Sequence, residues 1–325
     1  MEKMKILIIM VRYNLSTSKA NYIYILPIGL GYISSVLKNI GYEVKILNLN
    51  AYDGNINDPI RKTLMKENYD FILMGGLSVH YPAFEACVDA IRSCAPSAQI
   101  ILGGGLISSQ PELMFEALKP NYIVIGEGEI TIQELLRCLE KNGDLNEVNG
   151  IGYRSPDGKL VLTSAREAIK DLDALPWPDY AGLGFEDYLD HMRPSHGYLY
   201  DLFDAPRAYP LISSRSCPFL CTFCFHPLGN QYRQRSIGNI MNELEFAVKR
   251  YRINIIDIYD ELFSNNKKRV YEFCEQIKRL SKDVGWEIKW NAQTRVDQID
   301  EELLLTMKDA GCYVLSLGLE SYSED

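Results

Sequence analysis

Five short apolar runs punctuate the first 130 positions: KILIIMV (5–11), EVKILNL (43–49), DFILMGG (70–76), QIILGGG (99–105) and YIVIG (122–126). Their apolar residues are nearly continuous rather than alternating, the pattern of strands buried on both faces of a parallel sheet. Between them the period changes. Ile33, Val36, Leu37 and Ile40 recur at helical spacing, as do Phe84, Cys87, Val88 and Ile91, and Ile132, Leu135, Leu136 and Leu139. Each set lines one face of a helix. Gly41 and Gly143 stand where the first and last of these helices should stop. Strand alternating with helix predicts a doubly wound α/β domain over residues 1–142.

Residues 143–208 change character. IGYRSPDGKLVLT (151–163) has the form of a β-hairpin around a Pro-Asp-Gly turn. In DLDALPWPDY (171–180), Pro176 and Pro178 forbid regular structure, yet Trp177 and the nearby tyrosines need surfaces to pack on. This segment is expected to be an ordered connector. From 209 the alternation resumes: strand YPLIS (209–213), a helix striped by Ile237, Ile240, Met241, Leu244, Val248 and Tyr251 with Ser236 as N-cap, strand NIIDIY (254–259), a helix striped by Val270, Phe273, Cys274 and Ile277, strand WEIKWN (286–291), a helix near 300–310 and strand CYVLSL (312–317). Residues 209–325 are therefore expected to form a (β/α) partial barrel that stops after its fourth strand, short of the number that closes one.

Composition narrows the function. The chain has 325 residues, 47% of them hydrophobic, and a net charge of −9, so each of two domains can bury a core. The acidic balance and the lack of a Lys/Arg block speak against a nucleic-acid partner. The apolar N-terminal run is too short to span a membrane and lacks a cleavage site, so no membrane span and a cytoplasmic location are expected. In a reducing cytosol the eight cysteines are more readily metal ligands or catalysts than disulfides.

Three of them, Cys217, Cys221 and Cys224, fall within SRSCPFLCTFCFHP, just past a strand end. Isolated buried thiols explain Cys87, Cys94, Cys138, Cys274 and Cys312, but not this cluster. Tetrahedral zinc would need a fourth ligand, and His226 follows Cys224 at a tight spacing for one. An iron–sulfur cluster held by three thiolates keeps one iron open for a ligand. At the expected carboxyl edge of the first sheet, glycines gather in GGLSVH, GGGLIS and GEGE, where backbone can approach a ligand closely. None forms the G-x-G-x-x-G fingerprint of a dinucleotide site.

C-x-x-x-C-x-x-C with Phe223 before the third cysteine, after the first strand of a β/α domain, resembles the radical S-adenosylmethionine (SAM) superfamily. The resemblance implies a 4Fe-4S cluster on Cys217, Cys221 and Cys224, with SAM chelating the open iron and being cleaved reductively to a 5′-deoxyadenosyl radical. It also implies that Asp260 and Glu261, in YDELF, receive the SAM amino group. Arg295 in NAQTRVD, Glu320 and Ser321 in LGLES, and Phe223 become further SAM contacts. LPIGLGYISSVLKNIGYEVKILNLN, GGGLISSQPE, YIVIGEGE and DLDALPWPDY resemble the branch of that superfamily with an N-terminal, Rossmann-like cobalamin-binding domain. Gly75, Gly76, Ser78, His80, Gly103, Gly104, Gly105, Gly126, Glu127 and Gly128 are then expected around the corrin and its nucleotide tail. D-x-H-x-x-G, which gives cobalt a histidine ligand, is missing among the four histidines, so cobalt is expected to lack that ligand.

The resemblance implies methyl transfer to an unactivated carbon of a small-molecule or peptide substrate, with an electron donor such as flavodoxin or ferredoxin. A cobalamin-dependent oxidative cyclase and a non-catalytic cobalamin and iron–sulfur redox-sensing module stay open as alternatives.

Overall fold

The structure, a computed structural model, describes residues 4–12, 24–194, 200–226 and 229–320. It divides into two compact units, Met1–Ile169 with Leu175–Phe185, and Lys170–Ala174 with Glu186–Asp325.

In the first unit all five expected strands form: β1 (Lys5–Met10), β2 (Glu43–Asn48), β3 (Phe71–Gly75), β4 (Gln99–Gly103) and β5 (Tyr122–Val124). They pair in parallel in the order β2-β1-β3-β4-β5. The helices are α1 (Ile28–Asn39), α2 (Asn57–Lys66), α3 (Tyr81–Cys94), α4 (Gly105–Ser109), α5 (Pro111–Leu118) and α6 (Gly128–Glu140). Ile6, Ile8, Ile72, Ile100 and Leu102 are fully buried, as strands covered on both faces must be. The strand order reverses between β1 and β3, and such a switch point opens a ligand crevice at the carboxyl ends of the strands.

The connector expected over 143–208 does not stand apart. Its hairpin, β6 (Ile151–Arg154) and β7 (Leu160–Leu162), adds to the first sheet, with β6 antiparallel to β5. An uncovered β5 edge would expose unpaired backbone, and the hairpin satisfies it. The Pro-Trp-Pro stretch docks on α1. Ser34 Oγ and Lys38 Nζ donate to Asp179 Oδ2 at 2.6 and 2.5 Å, and Ser35 Oγ donates to the Trp177 carbonyl at 2.6 Å. A side chain at Gly31 would meet Leu183 Cδ1 at 2.9 Å and Pro178 Cβ at 3.0 Å, so glycine there permits the close approach. From Glu186, at the start of α7 (Phe185–Asp190), the chain belongs to the second unit.

The second unit holds β8 (Ala208–Leu211), a two-stranded ribbon of β9 (Ser214–Arg215) and β10 (Arg233–Gln234), α8 (Ile237–Tyr251), β11 (Ile255–Ile258), α9 (Lys267–Val284), β12 (Lys289–Arg295), α10 (Glu301–Asp309) and β13 (Cys312–Gly318). Its parallel sheet runs β13-β12-β11-β8, the sequential arc of a (β/α) barrel among the described residues. Ser236 caps α8 as expected, accepting from the Asn239 amide at 3.2 Å. The third strand was expected at 286–291 but starts at Lys289 and continues through the polar residues to Arg295. Its alternation explains this. Trp290, Ala292 and Thr294 are buried, Trp290 against Phe263 and Phe273, while Asn291, Gln293 and Arg295 take the other face. Six register pairs with β13, from Trp290 with Cys312 to Arg295 with Gly318, hold the polar half extended.

The cysteine loop leaves β9 and returns at β10, so its base is a closed ribbon. Asp260, after β11, lies beneath that base and is almost fully buried. Its carboxyl oxygens accept from the Ser213 amide (2.7 Å) and hydroxyl (2.5 Å) and from the Ser214 amide (3.0 Å) and hydroxyl (2.7 Å). Three buried arginines complete the clamp. Arg269, in the first turn of α9, donates to Ser213 O and Oγ at 2.8 and 2.9 Å. Arg235 donates to Ile212 O at 3.1 Å and pairs with buried Glu243 at 2.5 Å, which also accepts from the Tyr209 hydroxyl. Arg233 donates to Ser216 Oγ at 3.1 Å. Entry and exit of the loop are thus tied by charge-assisted hydrogen bonds, about twice as strong as neutral ones.

Asp260→Ala leaves four buried donors without an acceptor. It is expected to destabilise the second unit by about 3 kcal/mol or more, read as a lower urea midpoint from Trp286 and Trp290 fluorescence. In the first unit, Gly104→Ala combines a left-handed backbone (φ 84°) with a Cβ 2.7 Å from the Gly76 amide nitrogen. A loss of roughly 1–3 kcal/mol is expected, seen as a lower thermal midpoint.

Candidate functional site

Two edges carry the expected site residues, one in each unit. In the first unit, Gly75 and Gly103 end β3 and β4, and Gly126 follows β5, so all three sit at carboxyl ends. Gly76 and Gly104 serve each other first. The Leu106 amide donates to Gly76 O at 2.9 Å, and a Cβ on Gly104 would strike Gly76 backbone. Gly105 begins α4 and Gly128 begins α6, its Cβ position 3.0 Å from Ile33.

Ser78 lies exposed on a short turn that ends at His80. His80 Nδ1 accepts from the Leu77 amide at 3.1 Å, which makes it a brace for that turn, and burial lowers its pKa. Glu127 is turned inward, its Oε2 accepting from the buried Ile169 amide at 2.7 Å. Of the ten residues expected around cobalamin, Glu127 and His80 therefore have structural duties in the chain itself.

What the edge offers a ligand is different: open backbone at Gly126, where a Cβ would meet nothing within 4 Å, and exposed Ile25, Leu77 and Val79. Exposed apolar side chains and open glycine backbone that follow carboxyl ends of one sheet suit a flat, largely apolar macrocycle, so the residues fit a corrin.

In the second unit, Cys217 and Cys221 are half-buried and Cys224 is exposed. The Cys224 amide closes a turn onto Cys221 O at 3.0 Å. Burial raises the Cys217 thiol, and the neighbouring Glu261, Cys221 and Cys224 act in the same direction. Among the described residues, no three His, Cys, Asp or Glu side chains converge as ligands of one ion. Tetrahedral zinc needs such convergence, whereas in a cluster each thiolate meets its own iron. Both ring nitrogens of His226 are buried without a hydrogen-bond partner, orphaned polar atoms beside the thiols that invite a polar group. The donor set and these orphans fit a three-cysteine cluster.

The acidic pair splits. Asp260 points down into the clamp, with its acceptors taken by Ser213 and Ser214. Glu261 is exposed and lies within electrostatic range of His226, Arg233 and Cys217. Successive residues leaving a strand face opposite sides, so one carboxyl supports the loop and the other faces it. Arg295, at the end of β12, touches the cysteine loop directly, with Nη1 3.6 Å from Cys221 Sγ. Phe223 is exposed on that loop. Glu320 is exposed beyond β13, two residues after the register partner of Arg295. Ser321 lies outside the described residues.

A second polar group escaped the sequence reading. Asp257 is buried on β11, where Ile256 and Ile258 take the opposite, apolar side. Its carboxyl accepts from Tyr200 Oη at 2.9 Å and Asn291 Nδ2 at 2.7 Å. Burial raises its pKa, and the two hydrogen bonds oppose the rise. The available signal was one aspartate inside the otherwise apolar run IIDI.

Comparisons with known proteins match the two units in turn. The B12 binding domain family model matches residues 21–136 and the Radical SAM superfamily model matches residues 211–325. An uncharacterized methyltransferase of Pyrococcus horikoshii is 30% identical over 301 residues, covering 91% of this chain and 61% of that protein. An anaerobic magnesium-protoporphyrin IX monomethyl ester cyclase of Rubrivivax gelatinosus is 29% identical, covering 92% of this chain and 52% of that protein. The chain thus spans half to three-fifths of the length of these curated relatives. Among solved structures, the cobalamin-dependent S-adenosylmethionine radical enzyme OxsB with aqua-cobalamin bound superposes at TM-score 0.77 with 23% identity, over 99% of this chain and 45% of that one. The radical S-adenosylmethionine methyltransferase TsrM of Kitasatospora setae superposes at 0.76 with 16% identity, over 99% and 60%. Residues 21–136 thus belong to the B12 binding domain family and residues 211–325 to the Radical SAM superfamily, and the chain carries the two domains in that order.

Proposed function

We infer that this protein is a cobalamin-dependent radical SAM methyltransferase acting on an unactivated carbon. The observation that carries the reading is the three-cysteine loop, clamped at the end of β8, in the same chain as a B12-binding domain. Cys217, Cys221 and Cys224 would hold three irons of a 4Fe-4S cluster. Glu261, the carboxyl that faces the loop, would meet the SAM ammonium, while Asp260 keeps the loop in place beneath it. Leu77, Val79 and Gly126 would lie against the corrin. When bound, the cluster supplies one electron for SAM cleavage and cobalamin supplies the methyl group. The polar face of β11 and β12, with Asp257, Asn291 and Gln293, offers hydrogen bonds to a small-molecule or peptide substrate.

Two curated relatives frame the choice of reaction, one a methyltransferase and the other a cyclase. The cyclase match supports a second reading, oxidative ring formation with the same cofactors. An electron donor of the flavodoxin or ferredoxin kind and a cytoplasmic setting complete the proposal. No helix among the described residues is long and apolar enough to cross a membrane.

Anaerobic reconstitution with iron, sulfide, cobalamin, dithionite and SAM is expected to yield 5′-deoxyadenosine. Cys221→Ala should lose both the cluster and this product; normal product formation by the variant would sink the reading. Cobalamin binding without SAM cleavage in the wild type would favour a sensing module. With a substrate that turns over, methylation adds one CH₂ unit to its mass, and an unchanged carbon count would select the cyclase.

A further inference from the structure

By family resemblance Arg295 is expected to contact SAM. The structure commits its guanidinium elsewhere. Nε and Nη2 donate to the two carboxyl oxygens of Asp297 at 3.0 and 2.9 Å. The flat face lies over the Phe219 ring, 3.9 Å from its centroid. Nη1 points at Cys221 Sγ, 3.6 Å away. Phe219 and Cys221 belong to the cysteine loop, and Asp297 to the turn after β12. One planar group is thus held edge-on by a carboxyl and face-on by a ring, with its remaining terminal nitrogen left for sulfur. A lysine cannot do all three, because it has no plane to stack and no second edge.

We propose that Arg295 is a positioning residue that sets the reduction potential of the cluster through Cys221, rather than a SAM contact. This rests on the radical SAM reading above. Reduction adds negative charge to the cluster and its thiolates. A fixed N–H donor and a positive charge at one ligating sulfur stabilise that state more than the oxidised one, and hydrogen bonds to sulfur are among the determinants of such potentials. Asp297 and Phe219 keep the guanidinium from swinging away as the charge changes.

The test is a dye-mediated redox titration of the reconstituted 325-residue chain without SAM, followed by the electron paramagnetic resonance of the reduced cluster. Arg295→Gln is expected to assemble four irons and to hold about tenfold less reduced cluster at a fixed potential, a fall of about 59 mV for a one-electron couple. Arg295→Lys, which keeps the charge, should recover part of the loss. SAM affinity should stay within about twofold in both.

A wild-type midpoint in Arg295→Gln overturns the proposal, and a weakened SAM affinity at unchanged midpoint returns Arg295 to SAM. If the Gln variant fails to hold iron, the Lys variant decides. A loaded cluster with a lowered midpoint supports the proposal, and a wild-type midpoint overturns it. Loss of iron in both variants also overturns it, since Arg295 would then hold the loop together instead. A wild-type chain that binds no cluster fails the underlying reading, which is a separate result.

Discussion

The second unit depends on one buried carboxyl. A loop meant to present thiols to a ligand cannot pack its own core, because its apolar side chains Leu220, Phe223 and Phe225 point outward. It must be fixed from below. Asp260 does this by accepting four hydrogen bonds from two consecutive serines at the mouth of the loop. Arg269 and Arg235 then tie those serines to the first turn of α9 and to the loop's exit. Buried charge of this kind costs desolvation and is weak evidence for stability as such. Its value here is geometric, since the hydrogen bonds converge on Ser213 and Ser214 and the ribbon pairs Arg233 with Arg215 and Gln234 with Ser214.

The first unit reaches rigidity at its ligand edge by another route. Loops after β3 and β4 pack backbone against backbone at Gly76 and Gly104. Two neighbouring loops without side chains can lie closer than loops that carry them, and their contact braces this part of the edge. A firm edge bordered by exposed apolar residues suits a large flat group that arrives already rigid. Both units therefore place rigidity under the site and exposure on top, one with hydrogen bonds and the other with glycine.

Much of this was legible in the sequence. The five apolar runs became β1 to β5, since strands buried on both faces carry an unbroken hydrophobic signal. The three cysteines announced themselves by spacing. The rest was lost where the signal is non-local. The hairpin after residue 150 was recognisable, but nothing in it says that it caps β5, because edge pairing is decided by the partner strand. The polar half of β12 did not look like a strand, and only pairing with β13 holds it extended. Asp260 and Glu261 looked equivalent because adjacent letters carry no direction, yet one rotation along the backbone separates a buried support from an exposed carboxyl.

Arg295 shows the same limit from the other side. Its position at a strand end marked it as a site residue, and the structure sets its guanidinium against the cysteine loop. Its partner could not be read, because Phe219, Cys221 and Asp297 come together only through the closed ribbon and the end of β12. A guanidinium offers several donors in one plane, so its role follows from which of them are already occupied. With two nitrogens on Asp297 and its face on Phe219, the direction left points to sulfur. The same accounting separates Asp260, whose acceptors are filled from within, from His226, whose ring nitrogens are buried beside the thiols with no partner. For these two residues, used capacity marks a support of the loop and unused capacity marks a group left for a ligand.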